Sequence, residues 1–187
     1  MEELLEENDI KNRRLYLWDE IQSGNTFNII SRLEYFSEIS KSPIQIIIHS
    51  VGGDTECAAA IIDCMVGIQK KGIEIKTIVL GTAYSAAADI LAMGTKGSRY
   101  GRPNSAIMLH PCSFGVEEDY GAMNKANVDF VMKHSDGINR MICQACGVSN
   151  YNKFLQDIDK GLWLTAKDAV KYGVIDKILT GPLPFGG

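Results

Sequence analysis

The sequence predicts an α/β fold with a largely parallel sheet. Short apolar runs alternate with segments of helical periodicity along most of the chain, and this alternation is typical of β-α units. Several runs are apolar throughout, as strands covered on both faces are. With 187 residues, 45% of them hydrophobic, the chain is long enough to bury a core without disulfides. No linker or internal repeat interrupts the pattern, so we expect a single domain over residues 1–187.

The first part of the chain predicts two strands and two helices. Residues 15–18 form a short apolar and aromatic run, which predicts the first strand. Residues 26–40 and 55–70 carry apolar side chains at the helical period, and Gly72 stands where a left-handed cap ends the second helix. Between these helices, residues 44–48 are an unbroken apolar run, which predicts a buried strand.

The middle of the chain continues the alternation. Residues 75–80 and 106–109 are apolar runs that predict two more strands. Residues 86–93 are apolar on nearly every side, which is typical of a buried helix. A long polar helix with an uneven apolar stripe is predicted over residues 119–146.

The last unit is marked by a capping signal. Thr165 stands three positions before Asp168, a spacing that fits an N-capping box, and the short helix that follows ends at Gly173. A final strand is predicted within residues 174–179. The alternation of strands and helices therefore extends to the end of the chain.

Composition and charge exclude several classes of function. The formal net charge is -4, and mild acidity with scattered lysines argues against general nucleic-acid binding. No apolar run approaches the roughly 20 residues that a membrane-spanning helix needs. The acidic N-terminus has no basic-then-apolar secretory pattern, so we expect a cytoplasmic protein.

The cysteines predict free thiols rather than a metal or disulfide framework. Their number is odd and the chain has no export signal, so buried free thiols are the simplest interpretation. The spacing Cys143-x-x-Cys146 lacks a second cysteine pair or nearby histidines, so we expect it to be structural. We expect neither a metal nor a cofactor. The five cysteines are Cys57, Cys64, Cys112, Cys143 and Cys146.

Three segments follow predicted strands, at the end where α/β sheets gather catalytic groups. Gly52 and Gly53 allow backbone N–H groups to face a substrate, although an ordinary tight turn has the same composition. Ser85 is a candidate nucleophile, and the N–H of Ala86 is a candidate donor to an oxyanion. Serine is also a common N-cap residue, so Ser85 could simply cap the helix. His110 is a candidate base, although an isolated histidine is more often structural. Together they form the set that acyl transfer requires.

Four ordered segments resemble the ClpP-type serine peptidases, the proteolytic component of Clp proteases. The resemblance spans nearly the whole chain, and the order and spacing of the segments make it specific. The segments are IHSVGG (48–53), GTAYSA (81–86), RPNSAIMLH (102–110) and WLTAKDAVKYGVID (163–176).

The resemblance implies a role for each candidate residue. Ser85 would be the nucleophile and His110 the general base. The N–H groups of Gly53 and Ala86 would form the oxyanion hole, and Gly52 with its neighbours would pair with an extended peptide.

The resemblance also implies an architecture and partners. The fold would be the ClpP/crotonase-like fold of repeated ββα units, with a protruding handle helix in a handle region of about 112–160. Two stacked heptameric rings, a tetradecamer, would enclose the catalytic chamber and restrict the substrate to unfolded polypeptides. The implied partners are further copies of this chain, an AAA+ unfoldase or a ClpP paralogue.

One departure bears on activity. The third member of the family's triad is an aspartate, and its position here is Gly161. Asp157 and Asp159 are nearby alternatives, and removal of the orienting acid from a triad can cost about four orders of magnitude in rate. A dyad, an acid from another position and a catalytically impaired scaffold subunit all stay open. A crotonase-like acyl-CoA enzyme is a further alternative, which Ser85 and His110 count against.

Overall fold

A computed structural model describes residues 2–111 and 125–183, apart from the side chains of a few of them. Its helices are α1 (Glu2–Lys11), α2 (Ser23–Ile39), α3 (Thr55–Lys70), α4 (Ala86–Ala92), α5 (Lys125–Cys146), α6 (Tyr151–Ile158) and α7 (Ala166–Tyr172). Its strands are β1 (Arg14–Trp18), β2 (Ile44–Ser50), β3 (Ile75–Tyr84), β4 (Arg99–Gly101), β5 (Ala106–Leu109), β6 (Leu162–Thr165) and β7 (Lys177–Ile178).

The sheet is parallel except for one pair of strands. Its main path runs β1-β2-β3-β4-β7, and every pairing along that path is parallel. Strand β5 adds to β3 in parallel, and β6 then pairs with β5 in the antiparallel direction. The α/β prediction with a largely parallel sheet is therefore confirmed.

Strand β3 is longer than predicted, because it continues through a bulge. Residue Ile48 lies opposite Val79, but Ser50 lies opposite Ala83, so the register shifts between them. Gly81 lies in this bulge with φ +85°, and a Cβ there would lie 2.7 Å from Nδ1 of His49. The strand therefore ends at residue 84 rather than at residue 80.

Several predicted elements are confirmed and others were missed. Gly72 and Gly173 have the positive φ expected just past helices α3 and α7, and Thr165 accepts the N–H of Asp168 at the start of α7. The missed elements are α1, β4, α6 and β6. Strand β4 was missed because it has no apolar run. Its first residue, Arg99, is buried although its side chain is charged.

An ion pair fastens β4 to the end of the chain. The guanidinium of Arg99 is 1% exposed and donates to both carboxylate oxygens of Asp176, over 2.9 and 2.7 Å. It also donates to the carbonyl oxygens of Ala92 and Ala145. A buried charge needs such full pairing, so these contacts join helices α4 and α5 to strand β4 and to the segment just before β7.

Helix α5 covers the predicted 119–146 helix from residue 125 to its end. The side chain of Phe130 is exposed, whereas Ile138 and Ile142 on the later turns are buried. The predicted handle region of about 112–160 is described only in part, since residues 112–124, with Cys112, lie outside the described residues. In the described part of the chain, no helix combines the length and apolarity that crossing a membrane would take.

The cysteines of the described residues are free. Cys143 and Cys146 are buried on the last turn of α5, and burial raises the pKa of the Cys146 thiol to about 12. Cys57 and Cys64 are half-buried. Within the described ranges, no group of acidic, histidine and cysteine side chains could hold a metal ion. The prediction of free thiols is confirmed for these four cysteines.

Candidate active site

Ser85 stands between β3 and α4 in a strained backbone conformation. Its φ is 55° and its ψ is -132°, a region that residues with a Cβ rarely adopt. Although Ser85 occupies the N-cap position of α4, its side chain makes no capping hydrogen bond. The hydroxyl is instead free to face the end of the next strand, which argues against the simple N-cap interpretation.

The pairing of β3 with β5 brings Ser85 and His110 together. Tyr84 lies opposite Met108, and the N–H of Ser85 donates to the carbonyl oxygen of Met108 over 2.8 Å. One step further along this register reaches the end of β5, which His110 follows directly. As a result, Oγ of Ser85 lies 2.7 Å from Nε2 of His110.

The other ring nitrogen of His110 contacts a backbone carbonyl. Nδ1 lies 2.9 Å from the carbonyl oxygen of Pro111. A carbonyl oxygen only accepts, so Nδ1 carries the proton in this contact. In the neutral imidazole, Nε2 is then the acceptor for the hydroxyl of Ser85. This is the tautomer that a general base needs.

The Gly52-Gly53 loop packs directly against the serine. A Cβ on Gly52 would lie 2.7 Å from Cβ of Ser85 and 3.2 Å from the backbone nitrogen of Ala86. Only glycine fits this close approach, and the φ of +95° at Gly52 requires it as well. The sequence therefore folds the glycine loop onto the turn that carries the hydroxyl.

Two backbone N–H groups remain available beside this turn. The N–H of Ile21 donates to the Gly52 carbonyl and the N–H of Asp54 to the Ile21 carbonyl, so Gly53 directs its own N–H away from Ile21. Ala86 is the first residue of α4, where an N–H has no intrahelical partner. Among residues 2–111 and 125–183, none accepts a hydrogen bond from either N–H. Such donors suit an anionic oxygen.

Comparison with known proteins decides the family. The sequence model of the Clp protease family matches residues 5–182. The chain belongs to the Clp protease family. Clp proteases are serine peptidases and hence hydrolases, which is the enzyme class of this chain.

Curated relatives and a solved structure agree with this family. The ATP-dependent Clp protease proteolytic subunit 3 of Synechococcus sp. (strain CC9605) is 32% identical over 171 residues, which covers 91% of this chain and 84% of the relative. Proteolytic subunit 1 of Rhodopirellula baltica is 31% identical over 173 residues, covering 92% and 74%. A mutant of ClpP1 from Listeria monocytogenes has a TM-score of 0.82 at 25% identity, covering 95% of this chain and 96% of that one. The predicted ClpP-like fold is confirmed.

In this Clp protease, Gly161 lies beside the histidine. The last antiparallel pair of β5 and β6 is Leu109 with Leu162, and the residues next to this pair in the chain, His110 and Gly161, line the same cleft. The position that the resemblance assigned to the triad acid therefore shares a cleft with the imidazole. Since glycine has no side chain, no carboxylate comes from this position.

Neither nearby aspartate is hydrogen-bonded or ion-paired to the imidazole. Asp157 accepts two hydrogen bonds from Nζ of Lys153, at 2.8 and 2.9 Å, and one from the Tyr172 hydroxyl at 3.1 Å. The hydrogen bonds from Lys153 hold the pKa of Asp157 below its usual range. Asp159 lines a cleft together with His110, but no hydrogen bond or ion pair joins the two side chains.

The cleft beside His110 has a volume of about 530 Å³. Its aromatic wall is Trp163, whose ring meets Tyr84 edge-on at a centroid distance of 5.1 Å. The lining residues are Met108, His110, Pro111, Asp159, Lys160, Gly161 and Trp163. Sequence reasoning missed the Pro111 carbonyl, because any residue supplies a carbonyl and no side-chain pattern marks this one. It also missed Lys160 and Trp163 as neighbours of the histidine.

Asp89 is an unpredicted, half-buried acid one turn beyond Ser85. Its N–H donates to the Ser85 carbonyl at 3.2 Å. Burial raises the pKa of Asp89 to about 7. A carboxyl group with that pKa exchanges its proton near neutral pH, so the helix that follows the serine carries a pH-dependent charge.

Proposed function

We propose that this chain is the proteolytic subunit of a Clp-type protease, with Ser85 as its nucleophile and His110 as its general base. The observation that carries the proposal is the 2.7 Å contact between Oγ of Ser85 and Nε2 of His110. The Pro111 carbonyl supports it, because it favours the tautomer in which Nε2 can accept a proton.

The reaction follows from this arrangement. Oγ of Ser85 attacks the carbonyl carbon of a peptide bond while Nε2 of His110 takes the hydroxyl proton. The N–H groups of Gly53 and Ala86 stabilise the negative oxygen of the tetrahedral intermediate. The imidazolium then returns its proton to the leaving amine, which leaves an acyl group on Oγ. Water attacks this ester while Nε2 takes a proton from the water, and the imidazolium gives the proton to Oγ as the acid product leaves. Gly52 and its neighbours pair with the extended substrate.

The substrate and the assembly follow from the family. We infer that stacked rings of this chain confine the site, so that only unfolded polypeptides reach it, delivered by an unfoldase. The handle around helix α5 suits the contact between rings, since Phe130 and Met132 expose 68% and 66% of their surfaces. We infer a cytoplasmic location from the family, whose members are generally cytoplasmic.

The experiment that tests this proposal is labelling with a fluorophosphonate serine probe. We expect a single adduct on Ser85, located by intact mass and peptide mapping, and no adduct on Ser85→Ala. Ser31→Ala, at an exposed serine of helix α2, is the matched control and should label as the unchanged protein does. An adduct that persists in Ser85→Ala would contradict the nucleophile assignment.

Gly161 supports a second candidate function, a non-catalytic scaffold subunit of a Clp assembly. Without the triad acid, a chain that forms rings could serve to hold an active paralogue. A well-folded oligomer of this chain that never labels at Ser85 would favour this alternative over the peptidase. The oligomer is measured by sedimentation velocity on the same preparation.

A further inference from the structure

The cleft beside His110 has the size and the position of a ligand site. Its volume of about 530 Å³ falls within the roughly 300–1,000 Å³ of small-molecule pockets. The imidazole and Gly161 both line it, and a Cβ on Gly161 would meet two other lining side chains, Trp163 and Met108. An acidic side chain at position 161 would therefore start in this cleft, and its absence leaves room there for a soluble group.

The lining offers donors for an anion. Lys160 contributes an ammonium group and Trp163 an indole N–H, and neither has a hydrogen-bond partner among the described residues. A Cβ on Gly161 would lie 3.2 Å from Nε1 of Trp163, so the indole N–H borders the space left by the missing side chain. The carboxylate of Asp159, which also lines the cleft, opposes an anion and weakens its binding.

We propose that this cleft binds a small monocarboxylate, of which formate is the simplest, and that the bound carboxylate takes the place of the missing triad acid. This inference rests on the proposed function of Ser85 and His110. The carboxylate accepts a hydrogen bond from Nδ1 of His110 in place of the Pro111 carbonyl, and Lys160 and Trp163 are its other hydrogen-bond donors. No covalent bond forms, and the proton stays on Nδ1.

A bound carboxylate can balance the positive charge of the imidazolium, which the neutral Pro111 carbonyl does only in part. When Nε2 takes the proton of Ser85, the imidazole becomes a cation, and a carboxylate beside Nδ1 stabilises that cation far more than a neutral carbonyl oxygen can. The ligand therefore increases the nucleophilicity of Ser85 without touching it. The site is an activating one.

A soluble carboxylate also avoids a backbone penalty that a mutation would incur. Gly161 has a φ of +81°, a region in which a residue with a Cβ is strained by roughly 1–2 kcal/mol. Gly161→Asp would carry this strain into the loop beside the imidazole. Formate needs no change of the chain.

The test measures two quantities on the full chain, the rate of fluorophosphonate labelling at Ser85 and the fluorescence of Trp163. Trp18 and Trp163 are the only tryptophans, so a Trp18→Phe background isolates the second signal. Sodium formate is titrated against sodium chloride at constant ionic strength, and formamide serves as a neutral molecule of the same shape.

We expect formate to raise the labelling rate by about tenfold or more, a part of the four orders of magnitude that an orienting acid can supply. The fluorescence of Trp163 should change with the same half-saturation concentration. Lys160→Met should raise that concentration several-fold, whereas Lys167→Met, at an exposed lysine of helix α7, should not. Asp159→Asn should lower it, because the opposing charge is removed.

Three results would overturn the inference, and they differ in what they say about the proposed function. Labelling at Ser85 that is unaffected by formate overturns the carboxylate site and leaves the peptidase proposal intact. No labelling at Ser85 with or without formate overturns both. An equal response to formamide or chloride also rejects the site, since a carboxylate is then not what the cleft selects.

Discussion

The carbonyl oxygen of Pro111 lies 2.9 Å from Nδ1 of His110, at the place where serine peptidases present a carboxylate. The carbonyl fixes the ring and its tautomer, but it brings no charge to balance the imidazolium. The arrangement therefore resembles a dyad with a backbone third member. The first prediction separates this dyad from a triad completed by Asp159.

Asp159→Asn should lower kcat/KM by less than about tenfold, because the Pro111 carbonyl already holds the tautomer and no hydrogen bond or ion pair joins Asp159 to His110. Peptide hydrolysis measured across pH gives kcat/KM for each protein. Asp157→Asn is the matched control, since its carboxylate is bound by Lys153. A loss approaching that of a triad aspartate would show that Asp159 moves to His110 during turnover.

Ser85→Gly should be more stable than Ser85→Ala, although both lack the nucleophile. The φ of 55° and ψ of -132° strain any residue with a Cβ by about 1–3 kcal/mol, and glycine adopts this region freely. Part of the gain is offset by the larger backbone entropy of glycine in the unfolded chain. Urea unfolding of the two variants measures the difference. Equal or lower stability of Ser85→Gly would mean that the turn carries no strain.

Gly52→Ala should abolish labelling at Ser85. The added methyl would lie 2.6 Å from the Tyr84 carbonyl oxygen and 2.7 Å from Cβ of Ser85, so the loop has to move away from the serine. Gly67→Ala in helix α3 is the control, because a Cβ there meets no atom within 4 Å and alanine favours the helix by roughly 0.5–1 kcal/mol. Circular dichroism checks that both variants fold. Normal labelling of Gly52→Ala would show that the loop position is unimportant.

Asp176→Asn should lower the free energy of unfolding by about 3–5 kcal/mol, because it leaves the buried Arg99 guanidinium without its counter-charge. Burial acts to raise the pKa of Asp176, but the hydrogen bonds from Arg99 outweigh it and hold the pKa below its usual range. This stabilisation is present above the unfolded pKa and is lost as the pH falls through the folded one.

The control for that prediction is an ion pair on the surface. Lys153→Met removes the contact between Lys153 and Asp157, which should cost no more than about 1 kcal/mol. Chemical denaturation at neutral pH compares the two variants. Similar losses for both would mean that the Arg99 pair is no more important than an exposed one.

Asp89→Asn should stabilise the fold above pH 7 and have little effect near pH 4. Burial raises the pKa of Asp89 to about 7, so the folded chain keeps a proton that the unfolded chain releases at about pH 4. The free energy of unfolding therefore falls as the pH rises between these values, by about 1.4 kcal/mol for each pKa unit. Urea unfolding at both pH values measures the change in the free energy of unfolding that the substitution causes. Asp63→Asn, at an exposed aspartate, is the control. A gain that is the same at both pH values would contradict the assigned cause.

The bulge in β3 shows why the local sequence could not predict the whole strand. Gly81 interrupts the apolar run, so the pattern predicts a strand that ends at residue 80, just before this glycine. In the fold, His49 from the neighbouring strand reaches across, and its Nδ1 lies 2.9 Å from the Leu80 carbonyl oxygen. Beyond the bulge, residues 82–84 pair with residues 106–108 of β5, and this pairing between distant segments carries the strand on to Tyr84.

The sequence by itself determined the class of fold, the family motifs and the position of Ser85 and His110 at the ends of strands. These features are local, because hydrophobic periodicity, glycine turns and short motifs lie within a few neighbouring residues. The tertiary structure alone decided which distant residues, Gly161 and Trp163 among them, share the cleft with His110. That depends on the antiparallel pairing of β5 with β6, whose partners are more than 50 residues apart and meet only when the sheet is assembled.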